Sequence, residues 1–110
     1  MTDTIMLIPN NVKIGPRTFR VQFEENLLDI EETQRLNGHI LYDKAVIKID
    51  SRLALISQRL TMMHEIVHGI ADYLDIDMSE KEVSLMASGI TAMLMDNPEV
   101  VKMFDWEVNG

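Results

Sequence analysis

The chain of 110 residues contains no cysteine. That excludes a disulfide framework and any thiolate metal site, so a bound transition metal would have to rest on His and carboxylate ligands. Basic residues are few and scattered. Ten Lys and Arg stand against eighteen Asp and Glu, for a net charge of −8. A nucleic-acid backbone needs clustered Lys and Arg, so direct binding to nucleic acid is not expected. Long apolar runs are missing too. The run near the N-terminus, Ile5-Met6-Leu7-Ile8-Pro9, has five residues and no basic region before it. That is too short for a signal peptide or a membrane span, and the chain reads as cytoplasmic, in a bacterial host or phage-encoded. Internal repeats, low-complexity stretches and interdomain linkers are also lacking.

What is present suits one small globular domain over residues 1–110. Hydrophobic residues make up 46% and charged residues 25%, enough for a modest core and too balanced for disorder. The nine Met are read as adaptable filler at helical core positions.

The organising stretch is Thr61-Met62-Met63-His64-Glu65-Ile66-Val67-His68-Gly69. It contains His-Glu-x-x-His. On a helix, His64 and His68 project from one face, one turn apart, and two neutral imidazoles so placed can hold one Zn²⁺. Glu65 is rotated by about 100° from His64. Its carboxylate can then act as general base on the water to be activated. Leu60, Met63, Val67, Ile70, Ala71 and Leu74 form an apolar stripe beside the two His, so a helix over about 57–74 is expected, with Ser57 as N-cap.

Upstream, Val12-Lys13-Ile14 and Thr18–Phe23 flank Gly15-Pro16 and read as a hairpin. Phe19, Val21 and Phe23 would share its buried face. Residues 1–8 are a frayed start or a short edge strand. Residues 24–37 are acidic, a loop or a short helix, and Asn37-Gly38 is a turn signal. His39–Tyr42 and Ala45–Asp50 read as a second hairpin. An extended peptide could add to such a sheet edge. Downstream, a second helix over about 79–96 carries Val83, Met86, Ala87, Ile90, Met93 and Leu94, and Asn97-Pro98 ends it. A short terminal helix over 98–106 would pack through Phe104 and Trp106. The fold class expected is α+β: a small antiparallel or mixed sheet over about 12–50, packed on the motif helix and the second helix.

A catalytic zinc usually has three protein ligands. With His39 read as a surface or cross-strand residue, the third ligand is a carboxylate. Asp72, Asp75, Asp77, Glu80 and Glu82 follow the motif. Asp72 could approach the ion or orient a His from the second shell of contacts. Glu82 in the first turn of the second helix could point at the metal. Equally, Ser79-Glu80-Lys81-Glu82 is a capping box, in which Glu82 bonds back to the Ser79 N–H. Glu80 is the poorer ligand, because its direction relative to the Val83–Ala87 stripe is less predictable. Position alone leaves Glu82 undecided between the two roles.

From about Val12 to Phe104 the chain resembles the small zincin-type metallopeptidases of phages and mobile elements related to the ImmA/IrrE family. The resemblance is carried by Ile47-Lys48-Ile49-Asp50 followed by Leu60–Ile70, and by Glu80–Ile90 with Asp96-Asn97-Pro98. Asn37-Gly38 before a strand also fits. It implies a minimal zincin-like domain, with His64, His68 and Glu82 as zinc ligands and Glu65 as catalytic base. It further implies a zinc-dependent endopeptidase acting on a protein substrate such as a phage or bacterial repressor. Relatives of this kind cleave helix-turn-helix repressors and carry further domains that these 110 residues lack. For the donor that steadies the oxyanion, Tyr42, Tyr73 and His39 are the candidates. Two other readings remain open: a non-catalytic zinc-binding accessory protein of the same fold, and a metal-free helical interaction domain.

Overall fold

The computed structural model describes residues 8–29, 31 and 33–105. Residues 1–7, which hold most of the stretch read as a frayed start or a short edge strand, lie outside this description, as do Ile30, Glu32 and Trp106. Four strands, β1 (Asn11–Ile14), β2 (Arg17–Glu24), β3 (Gly38–Leu41) and β4 (Val46–Asp50), precede helices α1 (Leu55–Leu74), α2 (Glu80–Asp96) and α3 (Pro98–Lys102). This is an α+β fold.

The first hairpin forms because Ile14 pairs with Arg17, leaving Gly15-Pro16 as a two-residue turn. Gly15 takes φ 58°, a conformation that costs glycine little. The sheet order is β1-β2-β4-β3, with β2 parallel to β4 and both outer pairs antiparallel. The sheet is therefore mixed. Residues 25–37 carry the chain from β2 across to the far edge, so that β4 returns between β2 and β3. Among the described residues of this stretch, Leu28 and Arg35 pair in an isolated bridge. The Asn37-Gly38 pair opens β3 rather than making a turn: the Asn37 carbonyl accepts from the Asp50 N–H at 2.8 Å.

Helix α1 lies between the sheet and α2. On the sheet side, Ile14, Phe19, Ile40, Ile47, Ile49 and Met62 make one core. On the other side, Val67 packs with Val83 and Ala87 of α2. Burial on two sides explains why a single apolar stripe misdescribes the helix. Val67 and Ala71 are buried, whereas Leu60, Ile70 and Leu74 are exposed. The helix also begins earlier than expected. Ala54 is the N-cap with no side-chain bond, and Ser57 falls inside the first turn. The Gln58 amide bonds the Ser51 and Leu53 carbonyls instead and holds the entering turn.

The outer face of the molecule departs further from expectation. Phe23 is exposed on β2. Met86, Met93, Met95 and Met103 are exposed rather than core filler, and Phe104 at 64% exposure anchors nothing. α2 buries only the side that meets α1. Among the described residues, no helix is long and apolar enough to cross a membrane.

Two residues tie the loops to this frame. The Asp50 side chain is buried at the end of β4 and accepts the Arg52 N–H at 2.9 Å. The Arg52 guanidinium stands at 3.5 Å and that of Arg35 at 3.7 Å. The Arg52 N–H above all holds the Asp50 carboxyl below the usual carboxylate range, with the two guanidinium groups helping and burial opposing. Gly38 is the second. A Cβ there would run into the Thr61 methyl and come within 3.1 Å of the Glu65 carboxylate and 3.2 Å of the Lys48 carbonyl.

Asp50→Asn is expected to lower the melting temperature at pH 7. A carboxylate whose folded pKa lies below its unfolded value stabilises fully above the unfolded value, about 3.9. That stability is lost as pH falls through the folded value. The gap between wild type and variant should therefore close below about pH 4 in thermal melts across pH. Gly38→Ala should cost on the order of 1–3 kcal/mol by overpacking in denaturant titrations.

Candidate metal centre

His64 and His68 point from α1 toward the first turn of α2. Their ring centroids are 4.9 Å apart and the planes meet at 66°. Between them sits one carboxylate, that of Glu80. Its Oε2 is 2.7 Å from His64 Nε2 and its Oε1 is 2.9 Å from His68 Nε2. One ligand atom from each of the three residues lies within 4.8 Å of the others.

A carboxylate oxygen approaches an imidazole nitrogen this closely only with a proton or a cation between them. Two protonated nitrogens would satisfy the contacts, and so would one shared ion. Two imidazoles and a carboxylate are a donor set suited to zinc, with a coordination position left over. His64 Nδ1 lies 3.5 Å from Ser84 Oγ, which turns the ring so that Nε2 faces Glu80. Partners of this kind fix a ligating ring's tautomer and direction.

The local structure places Glu80 and removes Glu82. Ser79 caps α2, accepting the Glu82 N–H at 3.1 Å, and the Ser79 N–H donates to Glu82 Oε1 at 2.8 Å. The capping box is complete. It holds the Glu82 carboxyl below its ordinary value, the Ser79 N–H contributing most. Glu82 is thus engaged in the cap, and the carboxylate that the structure sets beside the two His is that of Glu80. The reason is helical period. Glu80, Val83, Ser84 and Ala87 recur at three- and four-residue spacing, so Glu80 shares the side of α2 that meets α1. Glu82 is two residues on, about 200° around the helix.

Glu65 faces the sheet side of the same cleft and is 6% exposed. Burial pushes its carboxyl up to about 7, and the Glu80 carboxylate adds to this. Such a group both takes and returns a proton near neutral pH. A cation among the His and Glu80 would act in the opposite direction, favouring the carboxylate form.

His64, Glu65 and Glu80 line a cleft of about 430 Å³, with His68 outside its lining. Leu60, Thr61, His64 and Glu65 of α1 form its floor; Glu80, Ser84, Ala87 and Ser88 of α2 form one wall. Residues 35–38, running into β3, form the other. None of the three expected oxyanion donors lines it. Tyr42 donates to the His68 carbonyl at 3.3 Å, and its hydroxyl pKa is raised, by burial first and then by Asp72 and Glu65. The Tyr73 ring lies against Gly15. His39 borders a separate hollow with Asp29, Glu31 and Leu36. Asp72, Asp75 and Asp77 do not join the cluster either. Asp75 ends α1 in a left-handed conformation at φ 56°. Arg35, Ser84 and Ser88 were not singled out as site residues by the sequence, and Asn37 was read only as part of a turn signal. As site residues, only Ser84 and Ser88 carried a signal, lying on the Glu80 side of α2 at four-residue spacing.

The chain matches no protein-family model, no curated protein and no solved structure. Its own geometry therefore carries the functional argument.

Glu80→Ala and Glu82→Ala should separate the two roles. Glu80→Ala is expected to reduce bound zinc to a small fraction of the wild-type content, measured by elemental analysis, with little change in stability. Glu82→Ala should keep the zinc and lose about 1 kcal/mol of stability with the cap.

Proposed function

We propose that the chain is a zinc-dependent peptidase whose ligands are His64, His68 and Glu80 and whose general base is Glu65. The observation that carries this reading is the meeting of two imidazole Nε2 atoms and one carboxylate at a single point, with a second, buried carboxylate in the same cleft. His64, His68 and Glu80 would hold the zinc, which would supply Lewis acidity to the reaction. Glu65 accepts a proton from the attacking water as its oxygen bonds to the carbonyl carbon. It returns that proton to the nitrogen as the C–N bond breaks. Gly38 leaves the space that lets the Glu65 carboxylate lie against the edge strand.

The substrate is a protein or peptide, and a repressor of the kind cut by the family it resembles is the proposed target, met in the cytoplasm. β3 is an edge of the sheet, and its entry forms a wall of the cleft. An extended substrate segment can lie along that edge by main-chain pairing.

A second reading is favoured by one observation. None of Tyr42, Tyr73 and His39 lines the cleft, which suits a protein that binds zinc and a partner without cutting it.

Glu65→Gln decides between them. In the peptidase, zinc content stays at one ion per chain while hydrolysis of a susceptible substrate, followed by mass spectrometry, falls by about 10²-fold or more. Retention of the full hydrolytic rate by the zinc-loaded variant would overturn the assignment of Glu65.

A further inference from the structure

The wall of the cleft opposite α2 is built from residues 35–38. Arg35 is the one Lys or Arg among the residues that line the cleft. It is 59% exposed and meets the Asp50 carboxylate only at 3.7 Å, outside hydrogen-bond distance. Asp50 is already engaged by Arg52 through its main-chain N–H and its guanidinium. The buried carboxylate therefore steers Arg35 by charge without using up its donors. Asn37 stands two residues further along the same wall and is exposed.

A guanidinium presents five N–H donors in a planar fork that matches a carboxylate in two parallel bonds. In a chain of net charge −8, a cation at the rim of a cleft floored by Glu65 and walled by Glu80 is a selective feature. We propose that Arg35, with Asn37 beside it, is a carboxylate-binding subsite of this cleft and a specificity determinant for the peptide it takes. The carboxylate belongs to an acidic side chain or to a free chain end. This inference rests on the cleft being a peptide site. It requires neither bound zinc nor hydrolysis.

The test uses two matched pairs of blocked peptides. Acetyl-Ala-Ala-Asp-Ala-Ala-amide is compared with its Asn counterpart, and acetyl-Ala-Ala-Ala free acid with its amide. Binding is measured by NMR titration of the full chain, following the backbone amide signals of cleft residues such as Gly38 and Ser84, with zinc removed and with zinc added. In wild type, the acid member of at least one pair should bind about tenfold tighter than its neutral partner, as a charge-assisted pair predicts. Which pair responds identifies the source of the carboxylate. Arg35→Met should remove the preference, and Arg35→Lys should keep part of it, with melting temperatures confirming that both variants fold. Equal binding of acid and neutral peptides by wild type in both zinc states would overturn the proposal. So would a preference that survives in folded Arg35→Met. Failure of the peptidase reading appears separately, as absence of zinc uptake or of cleavage while the Arg35-dependent preference persists.

Discussion

Helix α1 must satisfy two neighbours at once, and that double burial shapes the rest of the molecule. Its sheet side meets Ile14, Ile40 and Ile49, and its other side meets Val83 and Ala87. His64, Glu65 and His68 sit at the boundary between these two contacts. The small angular step from His64 to Glu65 becomes a division of labour: imidazoles toward α2, carboxylate toward β3. A surface helix with one buried stripe could not make that division, because one of the two directions would open into solvent.

Charge follows the same layering. Glu65 is taken out of water by the sheet edge, and its proton affinity rises toward neutrality. Glu80 stays largely in water, its carboxylate reaching two rings from the exposed first turn of α2. Asp50 is buried as well, yet behaves oppositely to Glu65, because a main-chain N–H and two guanidinium groups favour its charged form. Burial raises a carboxyl's pKa only where nothing compensates the charge.

The parts legible in the sequence were those with a strict local period. The Gly15-Pro16 hairpin, the β3–β4 hairpin and both long helices follow from alternation or helical spacing within one segment. Placement of β4 between β2 and β3 depends on pairing across 25–37, a stretch without period, so the parallel contact was not legible. The site divides the same way. His64, Glu65 and His68 are adjacent in sequence and share one helix. The third carboxylate comes from another helix, and its identity turns on a single register. The capping box was visible and competed directly with the ligand role assigned to Glu82. Once Ser79 and Glu82 pair, Glu80 is the first-turn carboxylate left facing α1. Arg35 and Asn37 belong to the aperiodic stretch; no local pattern marks Arg35, and the Asn37-Gly38 signal speaks of backbone shape rather than of a site.

The Ser79 cap gives this arrangement an unusual dependence on chain length. It fixes where α2 starts, and with that start it fixes the rotation of every residue after it. Removing or inserting one residue between Asp75 and Ser79 would preserve each chemical group described above, the cap included. The connection would then have to take up the change, by a slide or a turn of α2 against α1. A single residue of helix is about 1.5 Å and about 100°, enough to carry the Glu80 carboxylate off the two imidazoles. The three-donor cluster is thus encoded as much in the length of the five-residue connection from Asp75 to Ser79 as in the residues that compose it, and indels there are as consequential as substitutions of His64, His68 or Glu80.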